Sequence, residues 1–334
     1  MNICIYGTGA IGGHVAVRLI SAQAADVSIV ARGAQLDAIR RNGLTLRRGS
    51  KSTTVRPAAA TDDPTTLPAQ DLVIVTLKAY AVPAEAERIA RLLAPAAPAL
   101  FILNGIPWWW NHGLKSGATL SLLDPDGALW TKLGAGRALG CVVYSSNTVT
   151  APGVVTHEGG NQWLIGEPDN SDSERLRTVI AVLKKAGLGA EPSFDLRRDI
   201  WNKLVLNAAF NPLAALTRLD TGAVAADAKL AVMVERIADE TLAVAAALGW
   251  DIRDQVSARG ILMSGGGGWR PSMLQDVDRG RPIEVEAILG QTQAFAREKH
   301  VATPTIDAVL PQLRELDRTL RDASNRPGVA DLSR

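Results

Sequence analysis

Six residues near the start of the chain restrict its fold more than any others: Gly7-Thr8-Gly9-Ala10-Ile11-Gly12. They follow an apolar run, Asn2 to Tyr6, that reads as a strand, and they open a helical pattern from Ile11 to Ala22. G-x-G-x-x-G alone is a weak signal; between a strand and a helix it is the turn of a dinucleotide-binding unit. Gly7 permits the tight turn, Gly9 lets the backbone approach a pyrophosphate, and Gly12 lets the helix pack on the strand. Thr8, Ala10 and Ile11 complete the turn, whose helix would meet the phosphates with free N–H groups and a positive dipole end. The alternative is a plain glycine-rich connection with no ligand.

The segments that follow repeat the same alternation. Asp26 to Ala31 reads as a strand and Ala34 to Asn42 as a helix. Asp71 to Leu77 is an apolar strand, Ala84 to Leu93 is helical, and Ala99 to Leu103 is a strand again. Strands alternating with helices imply a parallel sheet covered on both faces, hence the α/β class and a Rossmann domain. From Ala138 to Gly166 short β-rich pieces (Cys141-Val-Val-Tyr144, Gly153-Val-Val-Thr156, Trp163-Leu-Ile165) lie between Gly and Pro, and they read as antiparallel edge strands. Ser173 to Ala186 is one more helix. Asp199 to Arg218, Ala226 to Leu248, Pro282 to Lys299 and Thr303 to Arg321 each show spacing near 3.6. The expectation is a dinucleotide-binding domain over 1–194 and an all-helical domain over 195–334. Gly265 to Gly268 reads as a flexible loop, and the tail after Asn325 is expected to fray.

Composition narrows the function. A chain of 334 residues exceeds the roughly 250–300 at which single cores stop growing. Its 36 basic residues against 34 acidic ones give no reason to expect nucleic acid. Cys4 and Cys141 stand far apart and the four histidines are scattered, so no metal site is expected. Without a signal peptide pattern or an uncharged apolar stretch of about 18 residues, the expectation is a cytoplasmic protein with no membrane contact.

Two further patterns carry chemistry. At the end of the second strand an NAD site wants an acid for the ribose 2′-hydroxyl. Here Val30-Ala-Arg32-Gly33 offers Arg32, a planar fork suited to the 2′-phosphate of NADPH, unless it is simply a solvated arginine. On the helix from Asp199, Lys203, Asn207 and Asn211 recur at four-residue intervals among apolar neighbours. Burying such groups unpaired costs several kcal/mol, so the stripe either lines a cleft holding a polar ligand or faces water. A desolvated lysine would be suited to proton transfer near neutrality. Further on, Glu284 and Glu286 follow Pro282 and suit the first turn of a helix, which is a capping role as readily as a chemical one.

Together these pieces resemble the ketopantoate reductase (2-dehydropantoate 2-reductase) family from Met1 to about Val309. The matching segments are the glycine turn, Thr76-Leu-Lys78-Ala-Tyr80, Asn104-Gly, Trp201-Asn-Lys203-Leu-Val-Leu-Asn207, Asn211-Pro-Leu, Ser272-Met-Leu-Gln-Asp276 and Pro282-Ile-Glu284-Val-Glu286. The resemblance implies NADPH-dependent reduction of ketopantoate to pantoate, a step of pantothenate biosynthesis. It implies Lys203 as the catalytic lysine and Glu284 as the active-site acid. Ser272 would hold the substrate carboxylate, and Asn207 and Asn211 would hydrogen-bond the substrate. Asn104 would orient the reacting groups beside cofactor and substrate, and Arg32 and Lys78 would meet the cofactor phosphate. The partner implied is a small 2-keto acid; a homodimer is left open. The chain departs from the family at Ile106-Pro-Trp108-Trp109-Trp110, where the family usually has a second glycine. The three tryptophans would form a packed loop, a subunit contact or a pocket wall. In the last case the substrate becomes another, bulkier 2-keto acid. A non-catalytic NADPH-binding regulator is the remaining alternative, disfavoured by Lys203, Glu284 and Ser272 together.

Overall fold

The computed structural model describes residues 1–115 and 117–324; the tail expected to fray lies outside them. The chain divides into two compact units, one of Met1–Leu103 with Pro107–Asp199 and one of Asn104–Ile106 with the chain from Ile200 onward. Sequence spacing put the division between residues 194 and 195, and it did not foresee that three residues around Asn104 belong with the second unit.

In the first unit the elements run β1 (Asn2–Tyr6), α1 (Ala10–Ser21), β2 (Asp26–Val30), α2 (Gly33–Asn42), β3 (Leu44–Arg48), β4 (Lys51–Val55), β5 (Ala59–Thr61), β6 (Leu72–Val75), α3 (Ala86–Leu92), β7 (Ala99–Phe101), β8 (Ala138–Ala151), β9 (Val154–Gly166), α4 (Glu174–Lys185) and β10 (Ala190–Pro192). They build one sheet in the order β4-β3-β9-β8-β7-β6-β1-β2-β5, with β10 beside β9. The strands β7-β6-β1-β2-β5 are parallel throughout. Their faces carry fully buried Ile3, Ile5, Ile29, Leu72 and Ile74, as a sheet covered on both sides requires. The chain leaves β1 for β2 on one side, and β6 flanks β1 on the other. This is the topological switch point at which such sheets bind ligands.

The three β-rich pieces after Ala138 are not edge strands. They are parts of β8 and β9, one long antiparallel hairpin inside the sheet, with β8 also paired to β7 and β9 also paired to β3. The hairpin shifts register in its polar middle, between Tyr144 and Asn147, which is why its apolar ends read as separate strands.

In the second unit the helices are α5 (Leu196–Thr217, whose first turn belongs to the first unit), α6 (Thr221–Ala226), α7 (Ala228–Ala247), α8 (Ala258–Ser264), α9 (Ser272–Asp278), α10 (Gln291–Glu298) and α11 (Pro304–Ser324). Asp220 and Asp227 cap α6 and α7 through side-chain oxygens. The glycine run is not a loose loop. Gly265–Gly267 is a tight 3-10 turn seated on Phe210, where a Cβ at Gly265 would come within 2.2 Å of the ring, and Thr221 donates its hydroxyl hydrogen to the Gly265 carbonyl. Pro282 does not open a helix either. The helix starts after Glu284, and its first turn, Glu286–Gly290, is a π-turn continuing into α10. Among the described residues no helix is long and apolar enough to cross a membrane.

Candidate active site

The glycine turn has the geometry a dinucleotide needs. Gly7 sits at φ +98°, open to glycine and strained for other residues. Its carbonyl accepts from the Thr76 hydroxyl at the end of β6 (2.5 Å), and its N–H donates to Val30 O at the end of β2 (2.9 Å). A Cβ on Gly12 would stand 2.0 Å from Gly7 O, so that position serves the close packing of α1 on the turn. A Cβ on Gly9 would meet nothing within 4 Å: the turn leaves open space where the backbone would face a pyrophosphate. No side chain caps α1 at Gly9, and the buried Thr8 hydroxyl has no hydrogen-bond partner. An uncapped helix start, an orphaned hydroxyl and a cradle without side chains fit the phosphates of a dinucleotide.

Arg32 stands at the N-cap of α2, exposed, with its guanidinium on the Glu85 carboxylate at 2.5 Å. Its side chain remains 63% exposed, so the guanidinium is both solvated and anchored by Glu85. Lys78 precedes the 3-10 turn Ala79–Ala81, half-buried.

In the second unit three distant segments meet. Lys203 Nζ donates to Asn104 Oδ1 at 3.0 Å, and Asn104 Nδ2 donates to Glu284 Oε2 at 3.2 Å. The amide joins ammonium to carboxylate with its oxygen toward the cation and its NH2 toward the anion, the orientation that satisfies both. Each member has a structural reason to be there. Gly105 turns the chain at φ +78°, and a Cβ there would lie 2.1 Å from Ala287 O; the Ile106 N–H donates to that same oxygen at 2.8 Å. Asn104 is thus seated against the π-turn that follows Glu284, and π-turns concentrate at functional sites. Glu284 is 6% exposed. Glu286 turns outward and forms a two-pronged pair with Arg314.

On α5 the polar stripe does not simply face water. Lys203 and Asn207 are half-buried and Asn211 is 4% exposed, while Trp201, Leu204, Val205, Ala208 and Phe210 beside them are buried. Ser272 stands exposed at the first residue of α9. The hydrogen bonds therefore unite Lys203, Asn104 and Glu284; Asn207 and Asn211 share the helix with Lys203, and Ser272 stands on a separate element.

The tryptophans form a packed loop. Trp108, Trp109 and Trp110 are each at most 2% exposed. Trp108 meets Phe101 edge-on at 5.5 Å. The buried Arg197 donates to the carbonyls of Trp110, His112 and Pro168 and lies over the rings of Trp109 and Trp110. Desolvation pulls its pKa down to about 10. Sequence patterns pointed to neither Arg197 nor Glu85. Each stands among other charged residues near the start of a helical stretch, where charge is ordinary.

Comparison with known proteins supplies the family. The family model described as "Ketopantoate reductase PanE/ApbA" matches residues 3–170, and its C-terminal counterpart matches 195–317. A 2-dehydropantoate 2-reductase of Mesorhizobium japonicum is 40% identical over 323 residues, covering 95% of this chain and 98% of that one. One from Halobacterium salinarum is 27% identical, covering 95% and 99%. The crystal structure of 2-dehydropantoate 2-reductase from Geobacter metallireducens GS-15 superposes with a TM-score of 0.81 at 27% identity, over 94% of this chain and 99% of that one. D-mandelate dehydrogenase with NADH and anilino(oxo)acetate shares the fold, at a TM-score of 0.79 and 19% identity over 96% and 100% of the two chains.

Proposed function

The chain belongs to the ketopantoate reductase family, and from that premise we propose that it reduces 2-dehydropantoate to pantoate with NADPH, using Lys203 as the proton donor. The observation that carries this reading is the chain of hydrogen bonds from Lys203 through Asn104 to Glu284.

NADPH, when bound, supplies a hydride to the keto carbon. Negative charge then gathers on the keto oxygen, and the Lys203 ammonium stabilises and protonates it. Asn104 fixes the ammonium at its oxygen and ties it to Glu284, whose carboxylate balances the charge of a lysine otherwise costly to bury. Asn207 and Asn211, one and two turns along α5, hold the polar substituents of the substrate, and Ser272 meets its carboxylate. The glycine turn and the uncapped start of α1 hold the pyrophosphate, while Arg32 and Lys78 take the 2′-phosphate. A non-catalytic regulator would need no ammonium poised this way. The buried tryptophan loop favours the family substrate over a bulkier keto acid.

The test is NADPH oxidation by the purified protein with 2-dehydropantoate, pyruvate, 2-ketoisovalerate and phenylglyoxylate. The expected outcome is the highest kcat/KM for 2-dehydropantoate, by at least about tenfold, which is about 1.4 kcal/mol in transition-state binding. A higher kcat/KM for phenylglyoxylate would replace the substrate. No turnover with any of the four would remove the enzymatic reading.

A further inference from the structure

Arg32 does not stand alone at the end of β2. Glu85, in the turn just before α3, has one guanidinium on each of its oxygens. Arg32 Nη2 lies 2.5 Å from Oε1, and Arg88 Nη1, from α3 itself, lies 3.5 Å from Oε2. The Tyr6 hydroxyl, at the last residue of β1, donates to Oε2 at 2.6 Å. The carboxylate is the buried partner, with a side chain only 9% exposed, whereas those of Arg32 and Arg88 are 63% and 52% exposed. The group is therefore a sunken anion with two outward-facing cations, one positive charge in excess. It lies at the carboxyl ends of β1 and β2, the edge of the sheet that carries the glycine turn.

We propose that Arg88 is a second guanidinium of the adenosine 2′-phosphate site, and that Glu85 is the positioning residue that holds Arg32 and Arg88 side by side. This rests on the reading that Arg32 meets the 2′-phosphate. Each guanidinium carries five N–H donors in a rigid fork, and Glu85 occupies only one side of each. The remaining donors face solvent, where the three oxygens of a phosphate monoester can take them. Glu85 is well suited to be a fixed support. Burial pushes its pKa up, but the hydrogen bonds from Tyr6 and Arg32 and the charges of both arginines outweigh this and hold it below the usual carboxylate range. It stays ionised, and it cannot follow the ligand outward.

An opposite role for Glu85 makes an opposite prediction. A competitor that occupies Arg32 would, on removal, release it to bind phosphate more tightly. A support would, on removal, leave two long side chains without a common orientation.

The experiment is calorimetric titration of the purified enzyme with NADPH, NADH, 2′,5′-ADP and 5′-AMP, comparing wild type with R32A, R88A, R88K and E85Q. The two adenosine fragments report binding without turnover. R88A is expected to weaken NADPH and 2′,5′-ADP about 10- to 100-fold, the span for one hydrogen bond to a charged group, and to leave NADH and 5′-AMP unmoved. R88K should recover part of the loss, since it restores charge without the fork. E85Q should weaken NADPH about three- to tenfold while NADH holds, because an amide keeps the acceptor and loses the charge. Unchanged NADPH affinity in R88A overturns the inference; if R32A is weakened in the same series, the assignment of Arg32 stands by itself. Unchanged affinity in R32A brings down the assignment and the inference together. Tighter NADPH binding by E85Q overturns the positioning role. Arg88 is exposed, so its variants keep the proposal testable even if E85Q fails to fold.

Discussion

Glu85 and Glu284 are buried to nearly the same degree, 7% and 6% exposed, and they are held by opposite kinds of chemistry. Glu85 touches two guanidiniums and a phenol directly. Glu284 accepts from the neutral amide of Asn104, whose oxygen accepts in turn from the Lys203 ammonium. A guanidinium keeps its proton at every working pH, whereas an ammonium can give one up. The first arrangement therefore suits the static recognition of a charged group. The second suits a group that must hold a proton and then release it.

The sharpest way to break this contrast is to remove the releasable proton. Lys203→Ala is expected to lower kcat by roughly 10²–10⁴, the usual span for a general acid, with the NADPH dissociation constant little changed. Lys203→Arg should recover little of the loss, because the charge returns without the proton transfer. Single-turnover NADPH oxidation measures both, and a Lys203→Ala enzyme with near wild-type kcat would show that the ammonium is not the donor.

The amide link can be tested next. Asn104→Ala removes one hydrogen bond to each charged neighbour; loss of the one to Lys203 alone, at about 1.5–3 kcal/mol for a bond to a charged group, should lower kcat roughly 10- to 150-fold. Asn104→Asp should also lower kcat, since a carboxylate directly on the ammonium stabilises the form that must lose its proton. If the Asp variant outruns wild type in steady-state assays, the neutral link is not what the reaction requires.

The smallest effect concerns acid. His14 on α1 meets His157 at a tilt of 41° with ring centroids 4.7 Å apart, and burial, then the charges of His157 and Arg18, lower its pKa to about 3. A histidine depressed in the folded state binds fewer protons there than when unfolded. Its contribution is complete above the ordinary imidazole value of 6.5 and is lost progressively as pH falls toward about 3. About one pH unit below the ordinary value the penalty is about 1.4 kcal/mol. Glu85, whose pKa is also lowered, adds a loss in the same direction at lower pH. Thermal unfolding from neutral pH downward should show a shallower decline for His14→Gln than for wild type, and parallel curves would rule out His14 as the cause.

What could be read in the sequence follows from how far each feature reaches along the chain. The glycine turn is local, so its residues announce it. The spacing of Lys203, Asn207 and Asn211 is local too, but it left open whether the stripe faces water, and only the burial of Asn211 decides that. Strands β3 and β4 escaped notice because Lys51 to Val55 is polar and mostly exposed, a hairpin at the sheet edge with little apolar pattern. Glu284 could be singled out only by family resemblance, because its partner Asn104 lies 180 residues away. Glu85 and Arg88 had neither advantage, since in the turn before α3 and on that short helix they look like ordinary surface charge.

The seat of Asn104 has a consequence for how the protein is made. A ribosome delivers the glycine turn, β2 and β6 early, and domains generally fold as they emerge. The carbonyl of Ala287, against which Gly105 and Ile106 are pressed, arrives far later. Until then Asn104 has been synthesised but has nothing to rest on. A nascent chain stopped short of Ala287 has therefore made the glycine turn and Asn104 but lacks the oxygen that holds the turn after Asn104 in place.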